Sequence, residues 1–204
     1  MKKIIIFGDG GFFKEQFYWL KDDLAKKNDY EIEAIASNRN QGKKIFNIPV
    51  IDEKEITYSE KRYLYIAIGS IDSRIDIIEK FSNYNFYTLI HPSAIISQGA
   101  IIGKGCTISP NTIIAGDAKI GDFNSMISHD CVTGNNNIFS PGSKILGWCK
   151  IGNNNYFGAD SIMLPKTEIG NSNMIGANAT LNRNFENSKI LIGTPAKIYK
   201  KEKD

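Results

Sequence analysis

Residues 139–181 read FSPGSK ILGWCK IGNNNY FGADSI MLPKTE IGNSNM IGANAT L, and each six-residue group opens with an apolar side chain. The same spacing runs back to Ile96, with one step of seven between Val132 and Phe139. A period of six fits neither an α-helix nor a flat strand, but it fits a solenoid whose segments each make one side and one corner. The predicted inward positions are Ile96, Ile102, Ile108, Ile114, Ile120, Met126, Val132, Phe139, Ile145, Ile151, Phe157, Met163, Ile169, Ile175 and Leu181.

Each coil of such a solenoid buries its apolar column only against neighbouring coils. Glycine often follows the apolar residue, and asparagines fill 135–137 and 153–155, where corners with positive φ are expected. An antiparallel sandwich would instead show two-residue alternation and variable spacing. The sequence therefore predicts a parallel β-helix over residues 91–192, followed by a C-terminal segment, 193–204, with a basic tail.

Residues 1–90 follow a different pattern, in which strands alternate with helices. This alternation predicts a small α/β domain with a parallel sheet, Rossmann-like in arrangement. The domain boundary is expected at His91-Pro92, and we interpret His91 as a structural residue. The predicted strands are 3–7, 30–36, 64–68 and 85–90, and the predicted helices are 13–27 and 73–81.

Composition excludes several classes of protein. The net charge of +3 over 204 residues gives no general nucleic-acid footprint. Three widely spaced cysteines, Cys106, Cys131 and Cys149, predict neither a disulfide framework nor a zinc site. The apolar run Ile4–Phe7 is too short for a signal sequence or a membrane span. We expect a cytoplasmic protein that binds neither nucleic acid nor a membrane and holds no metal.

A glycine-rich turn, Gly8-Asp9-Gly10-Gly11, separates the first strand from the first helix. Backbone N–H groups at such a turn suit a phosphate group. The third glycine of a dinucleotide fingerprint would fall on Phe13, and no acidic residue ends the second strand, so NAD binding is disfavoured. Binding of a nucleotide diphosphate and a purely structural turn both stay open.

His129-Asp130 is the second candidate constellation, in the middle of the solenoid. A histidine near its ordinary pKa can take a proton from an amine or hydroxyl that attacks a thioester, and a carboxylate can orient it. Neighbouring residues in a strand face opposite ways, so Asp130 reaches His129 only at a turn or from another subunit. Cys131 beside them is expected to be a small buried residue.

The order of several segments resembles the sialic acid O-acetyltransferase/UDP-4-amino-sugar N-acetyltransferase family of hexapeptide-repeat sugar acyltransferases. The resemblance covers nearly the whole chain. The matching segments are 6–12 (IFGDGGF), 48–50 (IPV), 67–70 (AIGS), 89–94 (LIHPSA), 129–131 (HDC), 140–143 (SPGS) and 192–197 (IGTPAK).

This resemblance implies a left-handed β-helix, a homotrimer and acetyl-CoA as co-substrate. It implies that His129 is the general base, that Asp130 is its carboxylate partner and that the Gly147 N–H faces the thioester carbonyl. The residues implied to lie along CoA are Gly147, Ala159, Gly193, Pro195 and Lys197. Those implied to hold a sugar nucleotide are Gly8, Gly10, Gly11, Phe12, Ser37, Asn38 and Gly69.

The sequence departs from the family pattern at two places. Ile138 stands where members often carry a second histidine, and Ser37 and Asn38 replace acidic residues. Both departures concern the acceptor. The leading hypothesis is N-acetylation of a nucleotide-linked amino sugar for surface glycan assembly. The alternatives are O-acetylation of a sugar hydroxyl, as in a sialic acid, and an inactive binding or scaffold protein.

Overall fold

The computed structural model describes residues 1–114, 116–123 and 131–199. The chain divides into two units, Met1–Pro92 and Ser93–Asp204. Within the described ranges, no helix is long and apolar enough to cross a membrane.

The first unit contains one sheet and two α-helices. Its sheet has the strand order β3-β4-β2-β1-β5-β6. All neighbours pair in parallel except β3 and β4, which form an antiparallel hairpin. The elements are β1 Lys2–Phe7, α1 Gly11–Lys26, β2 Tyr30–Ala36, β3 Lys44–Ile45, β4 Ile48–Ile51, a 3₁₀ turn Glu53–Glu55, β5 Arg62–Ile66, α2 Ile71–Lys80, β6 Asn85–Phe86 and β7 Leu89–Ile90.

Apolar side chains from α1 and the central strands form the core of the first unit. Phe13, Phe17 and Leu20 recur at helical spacing, so one face of α1 packs on Ile4 and Ile35 of the sheet. Strands β3 and β4 were not predicted from the sequence, because Pro49 argues against a strand. It also joined β6 and β7 into one strand.

The second unit is a parallel β-helix, which confirms that part of the prediction. Its three longest sheets are named face 1 (β9, β12, β13, β16, β19), face 2 (β14, β17, β20, β22) and face 3 (β15, β18, β21), and β8 and β11 form a separate two-stranded parallel sheet. Among the described strands of this unit, β22 and β23 form an antiparallel pair. The strands are β8 Ile95–Ile96, β9 Ile101–Ile102, β10 Thr107–Ile108, β11 Ile113–Ile114, β12 Lys119–Ile120, β13 Val132–Thr133, β14 Ile138–Phe139, β15 Lys144–Ile145, β16 Lys150–Ile151, β17 Tyr156–Phe157, β18 Ile162–Met163, β19 Glu168–Ile169, β20 Met174–Ile175, β21 Thr180–Leu181, β22 Ile190–Ile192 and β23 Lys197–Ile198.

The predicted apolar column fills the interior of the β-helix, with one correction. Val132 is 48% exposed, and Thr133 is buried in its place. Ile120 and Thr133 pair in neighbouring coils, so the irregular step falls before Thr133 and not after it. Val132 was predicted to point inward because valine is more hydrophobic than threonine. Strand pairing, however, decides which side chain points inward. Met126 lies outside the described residues. The other column members from Ile108 to Leu181 are buried, and Ile96 and Ile102 are half-buried.

Corners of the β-helix use residues with positive φ, among them Asn136, Asn154 and Asp160. Short polar side chains tolerate this conformation. The glycines after the apolar column serve another purpose, because their φ is ordinary. A Cβ on Gly152 would lie 2.6 Å from the carbonyl oxygen of Gly170 in the next coil. These glycines therefore permit close stacking of successive coils.

A second set of small inward residues stands two positions before the apolar column. On face 2 the set is Asn137, Asn155 and Asn173, each at most 2% exposed. The Asn155 side-chain amide donates to Asn137 Oδ1 at 3.0 Å, and Asn155 Oδ1 accepts from the Asn173 backbone N–H at 2.9 Å. This asparagine ladder pairs buried polar groups from coil to coil.

Candidate functional sites

A cavity of about 710 Å³ opens in the first unit. Its walls come from the chain directly after β1, β2, β4 and β5, where parallel strands present their carboxyl ends at one edge. All seven residues predicted to hold a sugar nucleotide line it: Gly8, Gly10, Gly11, Phe12, Ser37, Asn38 and Gly69. Residues more than 60 positions apart in the sequence thus meet around one space.

The glycines of the turn have different physical roles. Gly8 has φ of +110°, and a Cβ there would lie 2.6 Å from the Ala67 carbonyl oxygen, so the fold requires glycine. Gly10 and Gly11 have no atom within 4 Å of an added Cβ. Gly10 is the N-cap of α1, makes no side-chain capping bond, and no acidic residue follows in the first turn. The helix therefore offers uncapped N–H groups at the cavity.

Charged residues that the sequence analysis missed also line the cavity. Asp52 directly follows β4, and its Oδ1 accepts from the Lys54 N–H at 2.9 Å while its Oδ2 accepts from Gln41 at 3.0 Å. The Lys54 N–H holds the pKa of Asp52 below its ordinary value. Lys80 pairs with Glu53 at 2.5 Å. The β-branched residues just before Asp52 could have predicted strand β4. Because no strand was predicted there, the charged residues that follow it were not assigned to the cavity.

Arg39 is the notable cation of this cavity. Its backbone N–H donates to Ser37 Oγ at 3.0 Å, which shapes the turn after β2. Among the residues that the structure describes, its guanidinium has no ion-pair or hydrogen-bond partner. A cation with free donors beside an uncapped helix N-terminus suits an anionic ligand.

Gly147 lies in the β-helix, at the corner between face 3 and face 1. It is buried, and its carbonyl oxygen accepts from the Lys166 N–H at 3.1 Å. No described residue accepts a hydrogen bond from the Gly147 N–H. His129 and Asp130 lie outside the described residues.

Ala159 and the 193–197 segment come together at the corner between face 2 and face 3. The Asn178 N–H donates to the Ala159 carbonyl at 2.9 Å, and Thr194 Oγ1 donates to the Asn178 carbonyl at 2.8 Å. Gly193 and Ala196 bond the backbone of Thr180. Gly193, Pro195 and Lys197 are exposed there. Four of the five residues predicted to lie along CoA, all except Gly147, therefore lie at or beside this corner. Gly147 lies at the next corner of the β-helix, between face 3 and face 1.

His91, Cys131 and Cys149 each have protein contacts in the structure. His91 Nε2 lies 3.4 Å from Asp22 Oδ2 in the first unit. Cys131 and Cys149 are buried, and their thiols donate to the carbonyls of Leu146 and Leu164, each at 3.2 Å. A hydrogen bond with Cys131 lowers the pKa of the Cys149 thiol. Among the described residues, no cluster of histidine, cysteine or acidic side chains could hold a metal ion.

The coil repeat of residues 149–183 is similar to the transferase hexapeptide repeat. The family model for the bacterial transferase hexapeptide (six repeats) matches residues 149–183. A curated relative, UDP-N-acetylbacillosamine N-acetyltransferase of Bacillus subtilis, is 30% identical over 115 residues. That match spans 53% of this chain and about half of the relative's length, 51%.

Solved structures share the fold over nearly the whole chain. A variant of perosamine N-acetyltransferase from Caulobacter crescentus, in complex with CoA and GDP-perosamine, has a TM-score of 0.85 at 23% identity and covers 98% of both chains. The acetyltransferase domain of PglB from Neisseria gonorrhoeae has a TM-score of 0.83 at 24% identity, covering 98% of this chain and 100% of that domain. Together with the repeat and the curated relative, these matches confirm the resemblance to hexapeptide-repeat sugar acyltransferases.

Proposed function

We propose that this protein transfers acetyl from acetyl-CoA to the amino group of a nucleotide-linked amino sugar, as a cytoplasmic step in surface glycan assembly. The observation that carries the proposal is the cavity of the first unit, lined by all seven predicted nucleotide-sugar residues. In this proposal residues 1–90 are a Rossmann-like domain for the nucleotide sugar. Residues 91–192 are the left-handed β-helix acyltransferase domain, and 193–204 run beside CoA.

An anionic acceptor fits the chemistry of the cavity. The uncapped N-terminus of α1 and the Arg39 guanidinium both favour phosphate oxygens. A nucleotide-linked sugar brings two phosphates to them, whereas a free sugar brings none. The curated relative is named for acetylation of a UDP-linked sugar, and the perosamine enzyme was solved with a GDP-linked one.

The transfer step needs a base and an oxyanion donor. The amine nitrogen attacks the thioester carbonyl, the carbonyl oxygen becomes an oxyanion, and the C–S bond then breaks to release CoA. His129 accepts the amine proton and returns it to the leaving thiolate, while Asp130 orients the imidazole. The buried Gly147 N–H, with no acceptor among the described residues, suits the oxyanion. The residues proposed to hold CoA are Gly147, Ala159, Gly193, Pro195 and Lys197.

Gly10→Val tests the role of the cavity. Gly10 has extended backbone angles and open space at its Cβ position, so valine is accommodated by the fold and projects toward the ligand. We expect the KM for the nucleotide-linked acceptor to rise about tenfold or more, with the KM for acetyl-CoA nearly unchanged. Gly10→Ala is the graded control and should have a smaller effect. A rise in the KM for acetyl-CoA alone would refute the assignment.

The protein should sediment as a homotrimer at low micromolar concentration. Flat parallel faces with aligned edges pack well around a threefold axis, and a cleft shared between subunits makes assembly a condition of activity. Outward side chains on face 2 offer apolar surface for such packing: Met174 is 55% exposed and pairs with Ile190, which is 45% exposed. Met174→Glu should weaken assembly and activity together. A fully active monomer would contradict this prediction.

A further inference from the structure

The carboxylate of Asp52 holds a fixed place in the cavity of the first unit. Its Oδ2 accepts from the Gln41 side-chain amide at 3.0 Å, and the same amide nitrogen donates to the Ser37 carbonyl at 3.4 Å. Its Oδ1 accepts from the Lys54 N–H at 2.9 Å, and this bond lowers the pKa of Asp52, so the group is an anion at neutral pH. Asp52 therefore joins the loops after β2 and β4 at the carboxyl edge of the sheet.

Asp52 keeps acceptor capacity for a ligand. An ionised carboxylate can accept about four hydrogen bonds, so these two bonds do not exhaust it. In the described part of the chain, no cation forms an ion pair with Asp52. Two other carboxylates on the cavity wall are already engaged. Asp9 accepts from Asn40 Nδ2 at 3.0 Å, and Glu53 pairs with Lys80.

The strand order places Asp52 at the nucleoside end of the cavity. The glycine turn follows β1, β2 is the next strand, and β4 lies beyond β2. Neighbouring strands are about 4.8 Å apart, so Asp52 lies about two strand spacings from the turn that suits the phosphates. In dinucleotide-binding folds the residues after the second strand contact the ribose, which separates the phosphates from the base. Ser37 and Asn38 directly follow β2, which leaves Asp52 at the level of the base.

The bases differ in the hydrogen bonds that they offer a carboxylate. Guanine presents two adjacent donors, N1–H and the exocyclic N2 amine, which match the two carboxylate oxygens. Uracil presents one N–H between two carbonyl oxygens, so one carboxylate oxygen would face a carbonyl oxygen and be repelled. Cytosine and adenine present an amine beside a ring nitrogen that only accepts. Among these four bases, guanine alone satisfies both carboxylate oxygens.

We propose that Asp52 selects a guanine nucleotide by accepting hydrogen bonds from N1–H and the N2 amine, so that the amino sugar of the acceptor is linked to GDP; this inference rests on the proposed function. The phosphates stay at the glycine turn and Arg39. Ser37 and Asn38 face the ribose hydroxyls, which neutral polar side chains can bind. Asp52 is thus a specificity-determining residue that contacts the base and takes no part in acetyl transfer.

Calorimetric titration with nucleotide diphosphates tests the inference without turnover. The wild type should bind GDP about tenfold or more tightly than UDP, because one two-bond contact to a base discriminates by about that factor. Asp52→Asn should weaken GDP binding about tenfold and create binding of xanthosine diphosphate, in which a carbonyl replaces the N2 amine. The asparagine amide then donates to that carbonyl, while its oxygen accepts from N1–H. Asparagine also keeps the acceptor for the Lys54 N–H, so the turn after β4 is preserved.

Asp76→Asn is the matched control. Asp76 is an exposed carboxylate of α2 that also lines the cavity, so its substitution removes the same charge without touching the base contact. This variant should keep the preference for GDP over UDP and bind no xanthosine diphosphate. Equal wild-type affinity for GDP and UDP would overturn the inference. An Asp52→Asn variant that weakens both nucleotides equally, as loss of a ribose contact would, also overturns it.

Failure of this inference is distinct from failure of the proposed function. Preference for UDP, together with acetylation of a UDP-linked amino sugar, would overturn the guanine assignment and leave the proposed function standing. The switch from guanine to xanthine without acetylation of any nucleotide-linked amino sugar would refute the proposed function and leave the guanine contact of Asp52 standing. No binding of either diphosphate would overturn the inference and the nucleotide site together.

Discussion

His129→Ala should lower kcat by about 10²–10⁴-fold while leaving the fold and acetyl-CoA binding intact, because the amine then lacks a proton acceptor. The chain has only one other histidine, His91, which lies against Asp22 in the first unit. Purified variant and wild type should be compared at neutral pH, with CoA release as the signal. Far-ultraviolet circular dichroism and sedimentation establish that the variant is folded and assembled.

Two matched variants sharpen this prediction. Asp130→Ala should cost less than His129→Ala, since the carboxylate only orients and stabilises the imidazolium. His91→Ala is the control for loss of a histidine as such and should keep kcat near the wild-type value. A His129→Ala protein with wild-type kcat would remove His129 from the mechanism.

Asn155→Ala should lower the free energy of unfolding by about 3 kcal/mol. Asn155 is fully buried, and its amide donates to Asn137 Oδ1 and to the Gly170 carbonyl at 2.9 Å. Its Oδ1 also accepts from the backbone and side-chain amides of Asn173. Alanine would remove a hydrogen-bond partner of Asn137 in one neighbouring coil and of Asn173 in the other.

Urea unfolding at fixed protein concentration measures this effect, since assembly makes apparent stability depend on concentration. Lys150→Ala is the control: its exposed ion pair with Glu168 at 2.7 Å should contribute less than about 0.5 kcal/mol. If Asn155→Ala and Lys150→Ala unfold at the same urea concentration, the asparagine ladder does not stabilise the β-helix.

The six-residue period identified the β-helix because a solenoid repeats one steric environment many times. It misplaced Val132 because the shortened coil breaks the period: Asp122 and Asn135 bond across 13 residues, whereas Asn135 and Asn153, the equivalent pair one coil later, are separated by 18. An irregular step can be located from the sequence only to within a few residues, and valine was the more apolar choice. Strand pairing decides which residue points inward at such a position. Because the paired strands are far apart in the sequence, the local pattern does not reveal the pairing.

Asparagine triplets show a second limit of the sequence. The triplet 153–155 predicts a corner, and the structure divides it into three roles. Asn153 Oδ1 accepts from the backbone of the preceding coil, Asn154 adopts positive φ, and Asn155 points inward into the ladder. Composition indicates the turn, but only the coil-to-coil stacking shows which amide is buried.

The cavity illustrates what motifs can and cannot supply. The glycine turn was found because glycine marks backbone constraints, and Gly69 was found through the family resemblance. Asp52, Lys54 and Arg39 were missed because charged residues on loops look alike in a sequence. Only the strand order of the first unit brings the loops after β2 and β4 beside the glycine turn.

Mass spectrometry of nucleotide-linked amino sugars incubated with the protein and acetyl-CoA tests the central claim most directly. Matched free amino sugars and hydroxyl-only nucleotide sugars run in parallel. The account predicts that a nucleotide-linked amino sugar gains one acetyl group on nitrogen, with stoichiometric release of CoA, and that the matched free sugar reacts far more slowly. Equal acetylation of free sugars, transfer only to a hydroxyl, or no transfer to any nucleotide-linked amino sugar would contradict it.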